Sequence, residues 1–228
     1  MGAAHRRYTV RVEIEPPQFH RHDPYNGDRY TEPTVAEFSG LTIHPGRLGS
    51  SLATRETSQL RLARAQGDAF AGTVKAMFKQ ANDGHQKEID DYHVVCAVEY
   101  AEAWWFYRDG KNFDYKYEEE LSAKHNCHVE IAPVDARTGR FLPAPNVAAT
   151  LIEEDNGQSL GKAGEHFMWH PWLYHYGDNW RVPHGGNYRI IAHFDQPNFR
   201  RYGRTAGRRF THAVDLAFGH IHIKTGEK

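Results

Sequence analysis

Three hydrophobic patterns divide the chain. From Tyr92 onward the period is two: Val94, Cys96, Val98 and Tyr100 alternate with His93, Val95, Ala97 and Glu99. His128 to Ile131 and Asn146 to Ile152 read as further short strands, and Asp135-Ala136-Arg137-Thr138-Gly139 is a turn between strand-like segments. Short strands at this spacing predict an antiparallel β-sandwich. Ahead of them, Thr54 to Ala81 carries Phe70, Val74, Met77 and Phe78 on one helical face. Ser50, Ser51 or Thr54 can cap that helix, and Asn82-Asp83-Gly84 ends it. The third pattern is an alternating strand near the start (Val10, Val12, Ile14), a proline-containing break, a polar loop and a second strand from Val35 to Ile43.

That third pattern occurs twice. Tyr8 to Ile43 aligns without a gap on Tyr188 to Ile223 at an offset of 180, with nine identities in 36 positions. The shared residues include Tyr8/Tyr188, Phe19/Phe199, Arg21/Arg201, Gly27/Gly207, Arg29/Arg209 and Phe38/Phe218. Self-similarity of this kind is the signature of a duplication. Each copy reads as the closing strand pair of an antiparallel module. The expected organisation is therefore closing strands of a degenerate or truncated first module at 1–46, a helical connector at 47–89, and a complete sandwich at 90–228. An isolated strand pair is marginal and has exposed edges, so the first copy is expected to dock on some surface.

Composition narrows the function. A charged fraction of 25% with a net charge of −1 gives no global attraction to nucleic acid or anionic membrane. No run of about 18 apolar residues is present, so membrane insertion by a helix is not expected. Met1 to Tyr8 is polar and lacks the apolar stretch of a signal peptide, which fits either a cytoplasmic chain or the mature or shortened form of an exported one. The two cysteines, Cys96 and Cys127, either pair or sit as buried thiols. The 16 histidines stand out, because imidazole is the commonest protein ligand for borderline metals. No P-loop, G-x-S-x-G or H-E-x-x-H motif occurs, and the expectation is a protein that is not an enzyme.

The densest stretch of chemistry is Phe167 to Phe199. Here His175-Tyr176-Gly177-Asp178-Asn179 is followed by Val182-Pro183, by Gly186-Asn187-Tyr188, and by a strand ending at Pro197. This resembles the HYG-x-N…P-G-x-Y…PP segment of the periplasmic metal-binding proteins of ferrous-iron transport. Phe19-His20-Arg21-His22 resembles the RH motif that follows it in that family, and Tyr92-His93 resembles the head of its first metal-ligand strand.

The resemblance implies an immunoglobulin-like sandwich, a homodimer, an extracytoplasmic location and a membrane iron permease as partner. It also implies a copper or iron ion (zinc in vitro) held by His93, Met168 and His175. The chain departs from the pattern where Arg201-Tyr202 replaces the RH motif in the second copy, and where Val95 and Ala97 replace acidic residues two and four after His93. His22, Glu99, His170 and Tyr202 are the secondary candidates for the remaining position. The alternative is a β-sandwich that holds no metal and serves as a structural or protein-binding module.

Overall fold

The computed structural model describes residues 7–22, 29–42, 52–81, 83–107, 115–117, 124–143, 145–170, 173–201 and 203–225. In chain order the elements are β1 (Arg7–Ile14), β2 (His20–His22), β3 (Thr34–Thr42), α1 (Leu52–Gln80), β4 (Asp83–Ile89), β5 (Tyr92–Glu99), β6 (Trp104–Tyr107), β7 (Tyr115–Tyr117), β8 (Cys127–Asp135), β9 (Val147–Glu153), β10 (Ser159–Trp169), β11 (Tyr174–Trp180), β12 (Gly186–Phe194), the short α2 (Gly203–Ala206) and β13 (Val214–Ile223). Among these helices none is long and apolar enough to cross a membrane.

The fold is mainly β, as the alternation predicts. Strand order runs β13-β12-β9-β10-β11-β8-β5-β4, with β2, β6 and β7 continuing outward from β10. The long strand β10 joins the two layers. Its first half, Ser159 to Glu165, pairs with β9, and its second half, His166 to Trp169, pairs with β11. A strand that changes sheets in this way forms a corner of a sandwich. The inner faces meet in one core that includes Val94, Cys96, Val129, Ile131, Leu151, Ile190, Phe194 and Phe218. At the far side β4 approaches β13, with Lys87 Nζ donating to the Ala217 carbonyl at 2.7 Å. Pairing is antiparallel except where β2 runs parallel to β10.

Strands β9, β12 and β13 alternate buried and open positions, whereas every residue of β8 is buried. The difference has a local cause. The outer face of β5 and β8 is covered by α1, whose Val74 and Met77 pack on Val95, Ala97, Ala132 and Val134. The helical face expected from Phe70, Val74, Met77 and Phe78 is the one that docks.

Two assignments shift. The connector expected through residue 89 ends near residue 81, and Asp83–Ile89 is an edge strand hydrogen-bonded to β5. Its polar sequence, DGHQKEI, carries no apolar alternation because it lies at the margin of the sheet. The segment before residue 46 also divides: β1 and β3 form a separate two-stranded sheet, while β2 joins the main one. Cys96 and Cys127 are both buried free thiols. Cys96 lies opposite Ile131, four residues along β8 from Cys127, so the two cannot bridge.

Candidate metal centre

The centre is built on three neighbouring strands. Successive side chains of a strand point to opposite faces. On β8, Cys127, Val129 and Ile131 enter the core, which sends His128 and Glu130 to the other face. Cross-strand register then selects their neighbours on β11, with Gly177 opposite Glu130 and Asn179 opposite His128. His175 shares that face, and Met168 of β10 lies opposite His175. His128, Met168 and His175 are fully buried and Glu130 nearly so.

His128, Glu130 and His175 each offer a ligand atom, and these three atoms lie within 4.8 Å of one another. Glu130 Oε1 is 3.4 Å from His175 Nε2. A metal with bonds near 2.0–2.2 Å to nitrogen and oxygen fits donors at this separation. Met168 adds a thioether on the same face, beside His175.

The shell behind these donors fixes their chemistry. Asn179 Oδ1 accepts from the backbone N–H of Glu102 at 3.2 Å, and its Nδ2 donates to the Glu102 carbonyl at 2.7 Å. The amide orientation is thereby set. The same Oδ1 stands 3.0 Å from His128 Nδ1, which must therefore be the donor. The His128 lone pair is left on Nε2, the form a ligating imidazole needs.

Gly177 has a matching role. A Cβ there would lie 2.7 Å from His128 Nε2 and 2.9 Å from the Val129 carbonyl oxygen, so only glycine leaves room for the imidazole. The Trp104 ring packs beside His128, with centroids 5.9 Å apart.

Electrostatics favour a cation. Burial raises the Glu130 carboxyl well above its ordinary range, and the nearby Glu99 and Glu102 carboxylates push it the same way.

The expected residues distribute as follows. Met168 and His175 come together. His93 does not join them: it lies opposite Val134 on β5, four residues from Ala97, the residue opposite Glu130. That is about 13 Å along a strand. Its ring nitrogens instead contact Gln86 at 3.0 Å and Glu88 at 3.3 Å, and it lines a cavity of about 290 Å³ beneath α1. Glu99 lies opposite His128, at the margin of the centre. The His170 ring is 5.5 Å from that of His175. Tyr202 lies outside the described residues.

β2 is seated against β10, with His20 opposite Met168 and Arg21 opposite Trp169. The His20 ring stacks on His166 at 4.1 Å. The backbone of His22 lies opposite Trp104, and its side chain is outside what the structure describes.

The sequence pattern singled out neither His128 nor Glu130, and Asn179 only as part of the His175–Asn179 motif. The available signal was His-x-Glu inside a strand, which puts both side chains on one face. It also restores the pattern of a histidine with an acid two residues on, which is absent at His93.

Elsewhere His220 contacts Glu154 at 3.0 Å and His222 contacts Asn187 at 3.3 Å, each on the exposed face of β13. Arg209 bridges Asp91 and Asp135, each at 2.8 Å, so it serves the fold.

No protein-family model matches the chain, and no characterised protein matches it by sequence. Some solved structures are similar to it in fold. FetP from uropathogenic Escherichia coli strain F11 is similar over 63% of this chain and 95% of that one, at 16% identity and a TM-score of 0.48. A copper-bound single-residue variant of that FetP matches over the same 63% and 92% of its own length, at 16% identity and a TM-score of 0.48. The structural neighbours also include the copper-reconstituted P19 protein of Campylobacter jejuni, with 17% identity, 63% and 96% of the two chains covered, and a TM-score of 0.46.

Proposed function

We propose that this chain binds a single transition-metal ion through His128, His175, Met168 and Glu130, and that it carries the ion as cargo and transforms nothing. The observation that supports this best is the buried convergence of His128, Glu130 and His175 within 4.8 Å. Two imidazoles with a thioether suit copper, particularly Cu(I), and the carboxylate extends the set toward Fe(II). A carrying role agrees with the burial of the donors: a catalytic metal keeps a position open to substrate. The fourth-ligand question that Tyr202 and His22 raised finds a candidate in Glu130.

A role in iron or copper uptake outside the cytoplasm, with a homodimeric assembly and a membrane permease as recipient, follows from the resemblance of the Phe167–Phe199 segment. The second reading is a metal-free sandwich module. One contact favours it: Glu130 Oε1 lies 3.4 Å from His175 Nε2, so the buried carboxyl has a partner within the protein itself.

Calorimetric titration with Cu(II), Cu(I), Fe(II) and Zn(II) separates the two. The metal reading expects one ion per chain, abolished by His128→Ala or His175→Ala and retained by His93→Ala. Absence of binding, or loss on changing His93 alone, would overturn it.

A further inference from the structure

The β1–β3 sheet has a counterpart within the same chain. A shift of 180 residues carries Tyr8–Leu41 onto Tyr188–Ile221, Val10–Phe38 onto Ile190–Phe218, and Ile14–Thr34 onto Phe194–Val214. The register irregularity falls at the same step in both, between Tyr8 and Val10 and between Tyr188 and Ile190.

The connecting loops agree as well. Arg21 lies over the Phe19 ring at 4.7 Å and Arg201 over Phe199 at 5.0 Å. Each guanidinium donates to the carbonyl of that phenylalanine, and each also donates to a second carbonyl nine residues on, that of Tyr30 or Phe210. Those two receiving residues both take a left-handed backbone, with φ of 58° and 54°.

Burial is where the copies part. Tyr188, Ile190, Ala192, Phe194, Phe218 and Ile221 are no more than 1% exposed, while Tyr8, Val10, Val12, Ile14, Phe38 and Leu41 at the same places are 37–53% exposed. The opposite face of β1 is polar, with Arg11 and Glu13 in a 3.2 Å ion pair. The first copy is thus an amphipathic closing hairpin whose apolar face is open to solvent, an arrangement that marks an interaction surface.

The second copy shows what covers such a face. β12 is flanked by β9, and Phe194 stacks on Tyr92 of the opposing sheet with ring centroids 5.8 Å apart. We infer that the β1–β3 hairpin is a docking surface for an open β-sandwich body of this chain's own kind, a pair of sheets like β4 to β11 that lacks its closing strands. A second copy of the chain does not supply such a body, because its own is already closed by β12 and β13. β2, which lies between β1 and β3 in the chain, is seated on β10.

A fusion tests this directly. Residues 44–187 are placed ahead of residue 8 of the chain, so that the hairpin follows a body as residues 188–223 follow 44–187. Hydrogen exchange at the β1 and β3 amides is then compared between the chain and the fusion. Closure of the added body predicts about 100-fold or greater slowing in the fusion, together with cooperative folding of the added residues. The same fusion with Val10→Asp and Phe38→Asp should lose both. An added body that stays unfolded, or protection that the double variant retains, overturns the inference. So does a chain that dimerises in sedimentation and becomes monomeric with the same two substitutions, because a second hairpin would then be the occupant.

Discussion

The substitution Gly177→Ala probes the proposed centre with a single methyl group. The added Cβ would meet His128 Nε2 at 2.7 Å, Cε1 at 2.9 Å and the Val129 carbonyl oxygen at 2.9 Å, against ordinary contact of 3.4 Å or more. The carbonyl belongs to β8, the strand to which β11 is hydrogen-bonded, so it yields little. The imidazole must then move by roughly 0.7 Å, which strains its 3.0 Å hydrogen bond to Asn179. Overpacking of this kind typically costs about 1–3 kcal/mol.

The same displacement is about a third of a metal–nitrogen bond. Affinity should therefore fall by about 10–100-fold, as it does when a ligand's supporting contacts are disturbed. Gly164→Ala is the control: it lies on β10 with nothing within 4 Å of its added Cβ, so stability and affinity should hold. Urea denaturation of the chelated protein and competitive titration against a chelator report the two quantities separately. If both alanine variants match the parent, His128 is not confined as argued, and its assignment as a ligand fails with it.

Other expectations are briefer. Asn179→Leu removes the acceptor that holds His128 Nδ1–H and should weaken metal binding by about 10–100-fold, whereas Asn179→Asp keeps an oxygen there and should retain more of it, by the same titration. Glu165 is buried in the core; burial first, and then Asp178, raise its pKa well above the usual range, while the Trp180 indole acts in the opposite direction. A raised folded pKa contributes stability below the unfolded value near 4.3, and that contribution is lost as pH rises through the folded one. The stability of the chelated parent relative to Glu165→Gln should therefore fall by up to about 1.4 kcal/mol per pH unit above that point, and a flat difference in urea melts across pH 4 to 8 would refute this. Phe218→Ala should cost about 3–5 kcal/mol, and Phe38→Ala less than about 1 kcal/mol in the isolated chain, since one ring is buried and the other half-exposed.

Local pattern decided what local physics decides. The period of two from Tyr92 onward and the period near 3.6 from Phe70 to Phe78 are visible because one face of each element must be apolar, and both elements form as expected. The offset of 180 likewise anticipates paired strands with equal register, since register follows from which residues are apolar. β4 escaped notice because a polar edge strand carries no such alternation.

The choice between His93 and His128 could not be made in this way. Both begin short alternating strands, and alternation fixes the face of a residue but not the strand beside it. That neighbour is set by β8 lying between β5 and β11, an arrangement joining residues some fifty positions apart. The segment His175 to Asn179 nevertheless carried more of the centre than its histidine. Tyr176 fills the core, His175 faces Glu130, Gly177 vacates the volume that His128 occupies, and Asn179 sets the tautomer of that same ring. Two of these five residues exist to accommodate a histidine on another strand. The motif therefore implies a ring-bearing neighbour opposite Asn179 and beside Gly177, and in this chain the strand that supplies it is the one beginning Cys127-His128-Val129-Glu130.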